Sequence, residues 1–401
     1  MDIELIKKLA KPADTKIVLL VLDGLGGAPL EKGGLTELEA AETPNLDEIA
    51  AQSLCGLHEP VGTGITPGSG PAHLGLFGYD PLKYQVGRGV LAALGIDFDL
   101  RAQDVAARGN FCTVDEQGVV QDRRAGRISS EKNQKMLRLL RDVEVEGAQI
   151  FLRVVKEYRF LLVLRGENLS DAVGETDPLD VGYKPRDPEA LRPEAEHTAR
   201  LVARFVEQVR SKLADQHQAN MVLLRGFSKR PDWPQLPEVY GLRAAGIASY
   251  PMYRGLAKLV GMEILKAGEN MADPFGMLEK AWPDFDFFFV HVKPMDSAGE
   301  DGDFDRKVKL IEEADSYVPR VFKLDPDVVI ITGDHSTPAK LAYHSWHPVP
   351  VLLWSRHCRA DEVKRFGERA CLQGGLGVRF PAVELLPLAL ANAMRLEKFG
   401  A

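Results

Sequence analysis

The sequence predicts an α/β protein: a mostly parallel sheet sandwiched by helices, with a smaller α/β domain inserted into it. Four short apolar runs are each bounded by polar or turn residues: Lys16 to Asp23 (KIVLLVLD), Phe285 to Lys293 (FDFFFVHVK), Asp327 to Asp334 (DVVIITGD) and Val349 to Ser355 (VPVLLWS). Between the second and third, Phe304 to Phe322 carries Val308, Ile311, Ala314, Val318 and Val321 at helical spacing, which makes a strand, helix, strand unit. Candidate metal-ligating residues flank a middle of different character on both sides, so the middle reads as an insertion.

Taken in order, the N-terminal MDIELIKKLAKPADTK mixes lysines with apolar residues and lacks the unbroken apolar stretch of a signal peptide. The continuous aliphatic run ending at Asp23 suits a central strand buried on both faces. A helix follows near Thr43, with Thr43 as cap and Pro44 in the first helical position. Thr66 to His73 is a Gly/Pro turn leading into a helical segment. The middle offers strands at Phe151 to Val155, Arg159 to Arg165 and Met221 to Arg225. A Pro- and charge-rich passage, Asp177 to Pro193, and a helix, Glu194 to Leu213, separate the last two. The expected division is residues 1–103 with 227–401 as one metal-binding domain, and 104–226 as the inserted substrate or lid domain. The three later apolar runs are expected as further strands of one parallel sheet.

The 401 residues favour two domains, and 45% hydrophobic with 27% charged residues is ordinary for a globular protein. A net charge of -8 argues against non-specific binding to nucleic acid or anionic membrane, so any anion site is local. Cys55, Cys112, Cys358 and Cys371 form no CxxC pair and read as reduced thiols. No run approaches the roughly 20 apolar residues that span a bilayer, and the expected compartment is the cytoplasm. Nothing in the pattern fixes an oligomeric state.

In open parallel sheets ligands gather at the carboxyl ends of strands. Asp23, Asp296 and the Asp334-His335 pair each fall at or just beyond such an end, and His344 and His347 precede the last run. Each alone has a plain reading: Asp23 before Gly24 is a good turn former, and an Asp-His dipeptide is common. Together they suit divalent cations, because carboxylates take hard ions and imidazole suits zinc- and manganese-like ones. Ser69, beside such ions and at a helix start where free N–H groups favour an anion, becomes a nucleophile; otherwise it caps a helix in a surface loop. His73 faces the same pocket or packs beneath it. The pattern is that of metal-dependent phosphoryl transfer to and from a small phosphorylated substrate.

VLDGLGG (21–27), TPNLD (43–47), PGSGPAHLGLFGYDP (67–81), GRG (87–89), NFCTVD (110–115), DRRAGRI (122–128), GDHSTP (333–338), the HSWHPVP stretch (344–350) and the terminal KFGA closely resemble the archaeal-type cofactor-independent phosphoglycerate mutases. The resemblance covers nearly the whole chain in motif order. It implies an alkaline-phosphatase-like fold and interconversion of 2- and 3-phosphoglycerate through a phosphoserine intermediate. No 2,3-bisphosphoglycerate is needed. Two divalent metal ions are implied, manganese foremost, with magnesium, cobalt or zinc as alternatives. By the same resemblance Ser69 is the nucleophile, held with Asp23, Asp334 and His335 on one ion, while Asp296, His344 and the residue at position 300 hold the other. The family usually has His at that position and this chain has Glu300, which favours oxygen-loving metals. His347 stands where the family often has Asp or Asn, as a substitute ligand or a support for one.

Retaining the glycerate requires cations and exclusion of water. Arg123, Arg124 and Arg127 are the first candidates, with solvated surface charge as their plain reading. Arg165 and Arg225 follow, and Arg254 replaces a family lysine beside the phosphate. The rival activity is a metal-dependent phosphatase or another phosphomutase of the same fold, in one version with Ser297 as nucleophile. A non-catalytic relative that binds a phosphorylated metabolite is the alternative from a different class.

Overall fold

A computed structural model describes residues 2–400 of the chain. It divides into two compact units, Met1–Gln85 with Trp233–Ala401, and Val86–Asp232; the segment 104–226 expected as the insert lies within the second. The strands are β1 Ile17–Leu22, β2 Leu54–Glu59, β3 Val105–Val114, β4 Val120–Asp122, β5 Gln149–Lys156, β6 Arg159–Arg165, β7 Met221–Ser228, β8 Ala244–Ala248, β9 Glu263–Lys266, β10 Phe287–Val292, β11 Val328–Thr332, β12 Val349–Ser355 and β13 Gly377–Pro381.

The first unit is built on a sheet of order β13-β2-β12-β11-β1-β10-β8-β9. β1, with every residue buried, runs parallel to both neighbours, β10 and β11. Val21 is level with His291 on one side and with Thr332 on the other, so the three carboxyl ends are flush. That alignment brings Asp23, the turn after β10 and the Gly333-Asp334-His335 segment side by side. Val18, Leu20 and Leu22 of β1 pack with Phe275 and Leu278 of helix Asp273–Ala281 and with Ile311, Ala314, Val318 and Val321 of helix Phe304–Phe322. The helical spacing read between 304 and 322 thus marks a real buried stripe. The same stripe also buries Lys307 and Asp315, which an apolar pattern cannot flag.

β12 corrects the expectation of a further parallel strand. It pairs antiparallel with β11 and with β2. The connection 333–348 contains no helix, and without a crossover the chain can only turn back along the strand it has left. The consequence is functional. The amino end of β12 lies at the site edge of the sheet, with Val351 level with Thr332, so the segment carrying His344 enters there. β2 is antiparallel to β12 in turn, and its carboxyl end leads through residues 60–68 to Ser69.

The cap at the 44–50 helix also differs. Pro44 occupies its first turn as expected, but the Thr43 side chain makes no capping bond. Asp315 of helix Phe304–Phe322 accepts the free N–H groups of Asn45 (3.2 Å) and Leu46 (2.7 Å) instead.

The second unit holds a five-stranded sheet of order β4-β3-β6-β5, with β7 on the other side of β3. Every pairing in it is antiparallel. Its central strand, β3, was not among the strands read from sequence, because Arg108, Gly109 and Asn110 break the apolar run. Helix Glu196–Leu213 packs on β7 through a stripe that includes Leu201, Val202, Phe205 and Val209. Among the described residues no helix is long and apolar enough to cross a membrane.

Candidate active site

Four segments of the first unit converge at the flush strand ends. Asp23 follows β1 directly, its N–H donating to the Val292 carbonyl at 2.9 Å. Asp334 lies two residues beyond β11, and its Oδ1 accepts the Gly24 N–H at 3.1 Å. Asp296 sits in the first turn of helix Pro294–Glu300, just past β10. Helix Ser69–Leu76 begins at Ser69 itself, and the preceding cap position is Gly68. Having no side chain, Gly68 leaves the first-turn N–H groups uncapped, which rules out the plain capping role for Ser69 and leaves the helix start open to an anion.

The side chains form two groups whose candidate ligand atoms lie within 4.8 Å of one another: Asp23, Asp334 and His335, and Asp296, His335 and His344. The Ser69 hydroxyl is 3.3 Å from His335 Nε2. That ring nitrogen is also 3.1 Å from Asp334 Oδ2 and 3.6 Å from Asp23 Oδ1. His344 gives its Nδ1 proton to the Pro67 carbonyl at 2.9 Å, which turns Nε2 toward Asp296 Oδ1 at 3.5 Å. The His335 and His344 rings stack at 3.7 Å.

Electrostatics mark this as a place for cations. Asp23 Oδ1 and Asp334 Oδ2 are buried without a hydrogen-bond partner, though imidazole nitrogens stand nearby. Unpartnered buried carboxylate oxygens are costly, and an ion between them supplies what they lack. Burial and the neighbouring Asp23 push the Asp334 carboxyl well above the usual range. Burial acts upward on Asp23 too, but Lys293, His291 and His335 outweigh it and hold Asp23 well below that range. Burial drives the His335 and His73 imidazoles down to about 3, so both are neutral at physiological pH. Neutral imidazole is the form that ligates a metal. The donor set of three carboxylates, two imidazoles and a hydroxyl fits divalent cations.

Of the other residues singled out in the sequence, His73 lies beneath the site, donating from Nδ1 to the Ser69 carbonyl at 2.8 Å. Glu300 stands at the solvent side, its carboxylate 3.9 Å from His344 Nε2 and outside both tight groups. His347 turns to the Ser345 hydroxyl at 2.9 Å and stacks on Trp346. Of the two serines considered as nucleophile, it is Ser69 whose hydroxyl meets His335 Nε2, while Ser297 follows Asp296 in its helix. In the second unit Arg123 forks onto the buried Asp177 at 2.9 and 2.8 Å, and Arg225 reaches Glu175 at 3.1 Å. Arg165 is bound to Asp104, whereas Arg124 and Arg127 are exposed. Arg254 is half-buried beside Tyr253.

Sequence reasoning missed four residues of the cluster. The Tyr253 hydroxyl donates to Asp23 Oδ2 at 2.5 Å. His291 Nε2 is 3.3 Å from the same oxygen. Lys293 Nζ lies 3.1 Å from it and also bonds Asp296. Thr337 Oγ1 lies 2.9 Å from Asp296 Oδ1. A signal for two of them was present: His291 and Lys293 are polar residues in an otherwise apolar strand run, five and three positions ahead of Asp296 respectively.

A family profile described as 2,3-bisphosphoglycerate-independent phosphoglycerate mutase matches residues 50–220. A Thermus thermophilus protein named a probable 2,3-bisphosphoglycerate-independent phosphoglycerate mutase is 51% identical over 99% of this chain and 98% of its own length. An Aquifex aeolicus protein of the same name is 48% identical over 99% of this chain and all of its own. Among solved structures, a Pyrococcus horikoshii protein superposes with a TM-score of 0.83 at 30% identity, covering 96% of this chain and 99% of its own. A cofactor-independent phosphoglycerate mutase from Thermoplasma acidophilum gives 0.67 at 28% identity, covering 94% of this chain and 100% of its own.

Proposed function

Because the chain belongs to the 2,3-bisphosphoglycerate-independent phosphoglycerate mutases, we propose that Ser69 takes the phosphoryl group from one hydroxyl of phosphoglycerate and returns it to the other. The activity is that of an isomerase, and the family's independence from 2,3-bisphosphoglycerate comes with it. The observation that carries the assignment is the Ser69 hydroxyl, 3.3 Å from His335 Nε2 and beside carboxylates whose buried oxygens lack partners.

Two divalent ions are the proposed occupants, with manganese favoured by the mixed carboxylate and imidazole donors. Asp23, Asp334 and His335 would hold one together with Ser69. Asp296 and His344 would hold the other, with Glu300 at its outer side. His335 faces both groups but can lend Nε2 to one ion only, and Asp334 and Asp23 are its nearest carboxylates. When bound, the ions supply Lewis-acid charge that favours the serine alkoxide and draws charge from the phosphoryl oxygens.

The chain's own groups do the rest. The uncapped first turn of helix Ser69–Leu76 places backbone N–H groups where a phosphoserine would stand. Lys293, held charged by Asp23 and Asp296 against the pull of burial, offsets part of the local negative charge. His73 fixes the Ser69 backbone from below. For the substrate anion the first unit offers Arg254; the second unit, taken by itself, offers Arg123, Arg124 and Arg127, of which Arg123 is aligned by Asp177.

The test is to incubate the protein with 3-phosphoglycerate and Mn²⁺ and to follow 2-phosphoglycerate. Acid-quenched samples should carry phosphate on Ser69. Ser69→Ala should lower turnover by at least ~10³-fold, while Ser297→Ala leaves it intact. Release of free phosphate without 2-phosphoglycerate would point to a phosphatase instead.

A further inference from the structure

The two ion sites share one small buried residue. Thr337 is completely buried. Its Oγ1 lies 2.9 Å from Asp296 Oδ1, in one proposed site, and 3.0 Å from His335 Nδ1, in the other. A hydroxyl has one proton and cannot donate to both. An ionised carboxylate has none to offer, so the threonine proton goes to Asp296. The His335 ring must then bring its own proton on Nδ1 to meet the threonine oxygen. That leaves Nε2 with its lone pair toward Asp23, Asp334 and Ser69.

Thr337 is also fixed by its surroundings. Its N–H donates to the Gly26 carbonyl at 2.9 Å, and its carbonyl accepts from the buried Lys307 ammonium at 2.9 Å. Glycines flank it on two sides, one from each ligand segment. A Cβ on Gly24, next to Asp23, would lie 2.7 Å from Thr337 Oγ1. A Cβ on Gly299, three residues after Asp296, would lie 2.2 Å from the Thr337 carbonyl oxygen. Both segments therefore leave out a side chain where this threonine sits.

We propose that Thr337 is a positioning residue that couples the two ion sites, its hydroxyl orienting Asp296 for one ion and selecting the ligating tautomer of His335 for the other. The inference rests on the two-ion reading above. Losing this one hydroxyl should weaken both sites, although it belongs to neither ligand set.

Calorimetric titration of the chelator-treated chain with Mn²⁺ tests it. Wild type should take up two ions. Thr337→Val, which keeps the shape and removes the hydroxyl, should weaken both binding steps by roughly 10- to 100-fold, the usual scale for groups that orient ligands. Thr337→Ser should restore both to within about threefold. Unchanged binding in Thr337→Val, or loss at one step only, would overturn the coupling while leaving the two-ion reading intact. A wild-type chain that binds fewer than two ions would overturn that reading and the coupling with it. Independently of any variant folding, ¹⁵N spectra of the metal-free wild type should show His335 protonated on Nδ1. The opposite tautomer would also refute the proposal.

Discussion

The Tyr253 hydroxyl donates to Asp23 Oδ2 at 2.5 Å, and both side chains are buried. With His291 and Lys293 also at this oxygen, Oδ2 is fully engaged and Oδ1 is left unpartnered, facing His335. Tyr253 thus divides the carboxylate into a held oxygen and a free one. Tyr253→Phe keeps the ring that stacks on His291 at 3.8 Å and removes only the donor. Mn²⁺ affinity should fall about 10-fold or more, as for other groups that orient a ligand. Titration of the variant by calorimetry checks this, and an unchanged dissociation constant would refute it.

Asp334 illustrates stability given up for function. Without cations its carboxylate sits buried beside Asp23, and burial with that like charge makes ionisation unfavourable. Asp334→Asn keeps an acceptor for the Gly24 N–H and removes the charge. In chelator at pH 7.5 the variant should be more stable than wild type by about 1–2 kcal/mol, raising Tm by several degrees. Mn²⁺ should reverse the order. At a hundred times its Kd an ion stabilises wild type by about 2.7 kcal/mol and should do little for the variant. Thermal melts with and without the ion decide it; a less stable variant in chelator would contradict the argument.

The sequence exposed the parts of this site that obey one-dimensional rules. Asp23 and Asp334 end apolar runs, and the strands proved to be where those runs are, because burial on both faces leaves no alternation to misread. Helix Phe304–Phe322 was legible for a different reason, a single buried stripe that recurs at helical spacing. The antiparallel course of β12 was hidden, because an apolar run carries no direction; only the lack of a helix in 333–348 hinted at it. Tyr253 was hidden too, since it lies 230 positions from the carboxylate it holds. Lys307 is the plainest case. Charged residues are read as solvated, yet it is fully buried because the Gly26 and Thr337 carbonyls accept from it at 2.9 Å, with Glu37 close by. Such partners exist only after folding.

His58 should make the fold sensitive to acid. Its ring is wholly buried at the carboxyl end of β2, with Nε2 3.1 Å from the Gly333 carbonyl and Nδ1 unpartnered. Burial lowers its pKa from 6.5 to about 4, so the folded chain resists a proton that the unfolded chain accepts. Its contribution is therefore intact above pH 6.5, declines on acidification, and is fully lost below about 4. The total is about 3 kcal/mol at 1.36 kcal/mol per unit. His73 and His335, both lowered to about 3, act in the same direction, so the wild-type decline is larger than the share of His58. His58→Gln isolates that share. The amide keeps an N–H donor for the Gly333 carbonyl and cannot take up a proton in this range. Urea midpoints measured in chelator at pH 7.5 and pH 4 should fall less for the variant than for wild type, by an amount equivalent to about 3 kcal/mol. Parallel losses in the two proteins would mean that His58 is protonated equally in the folded and unfolded chains, and burial would then not be governing its titration.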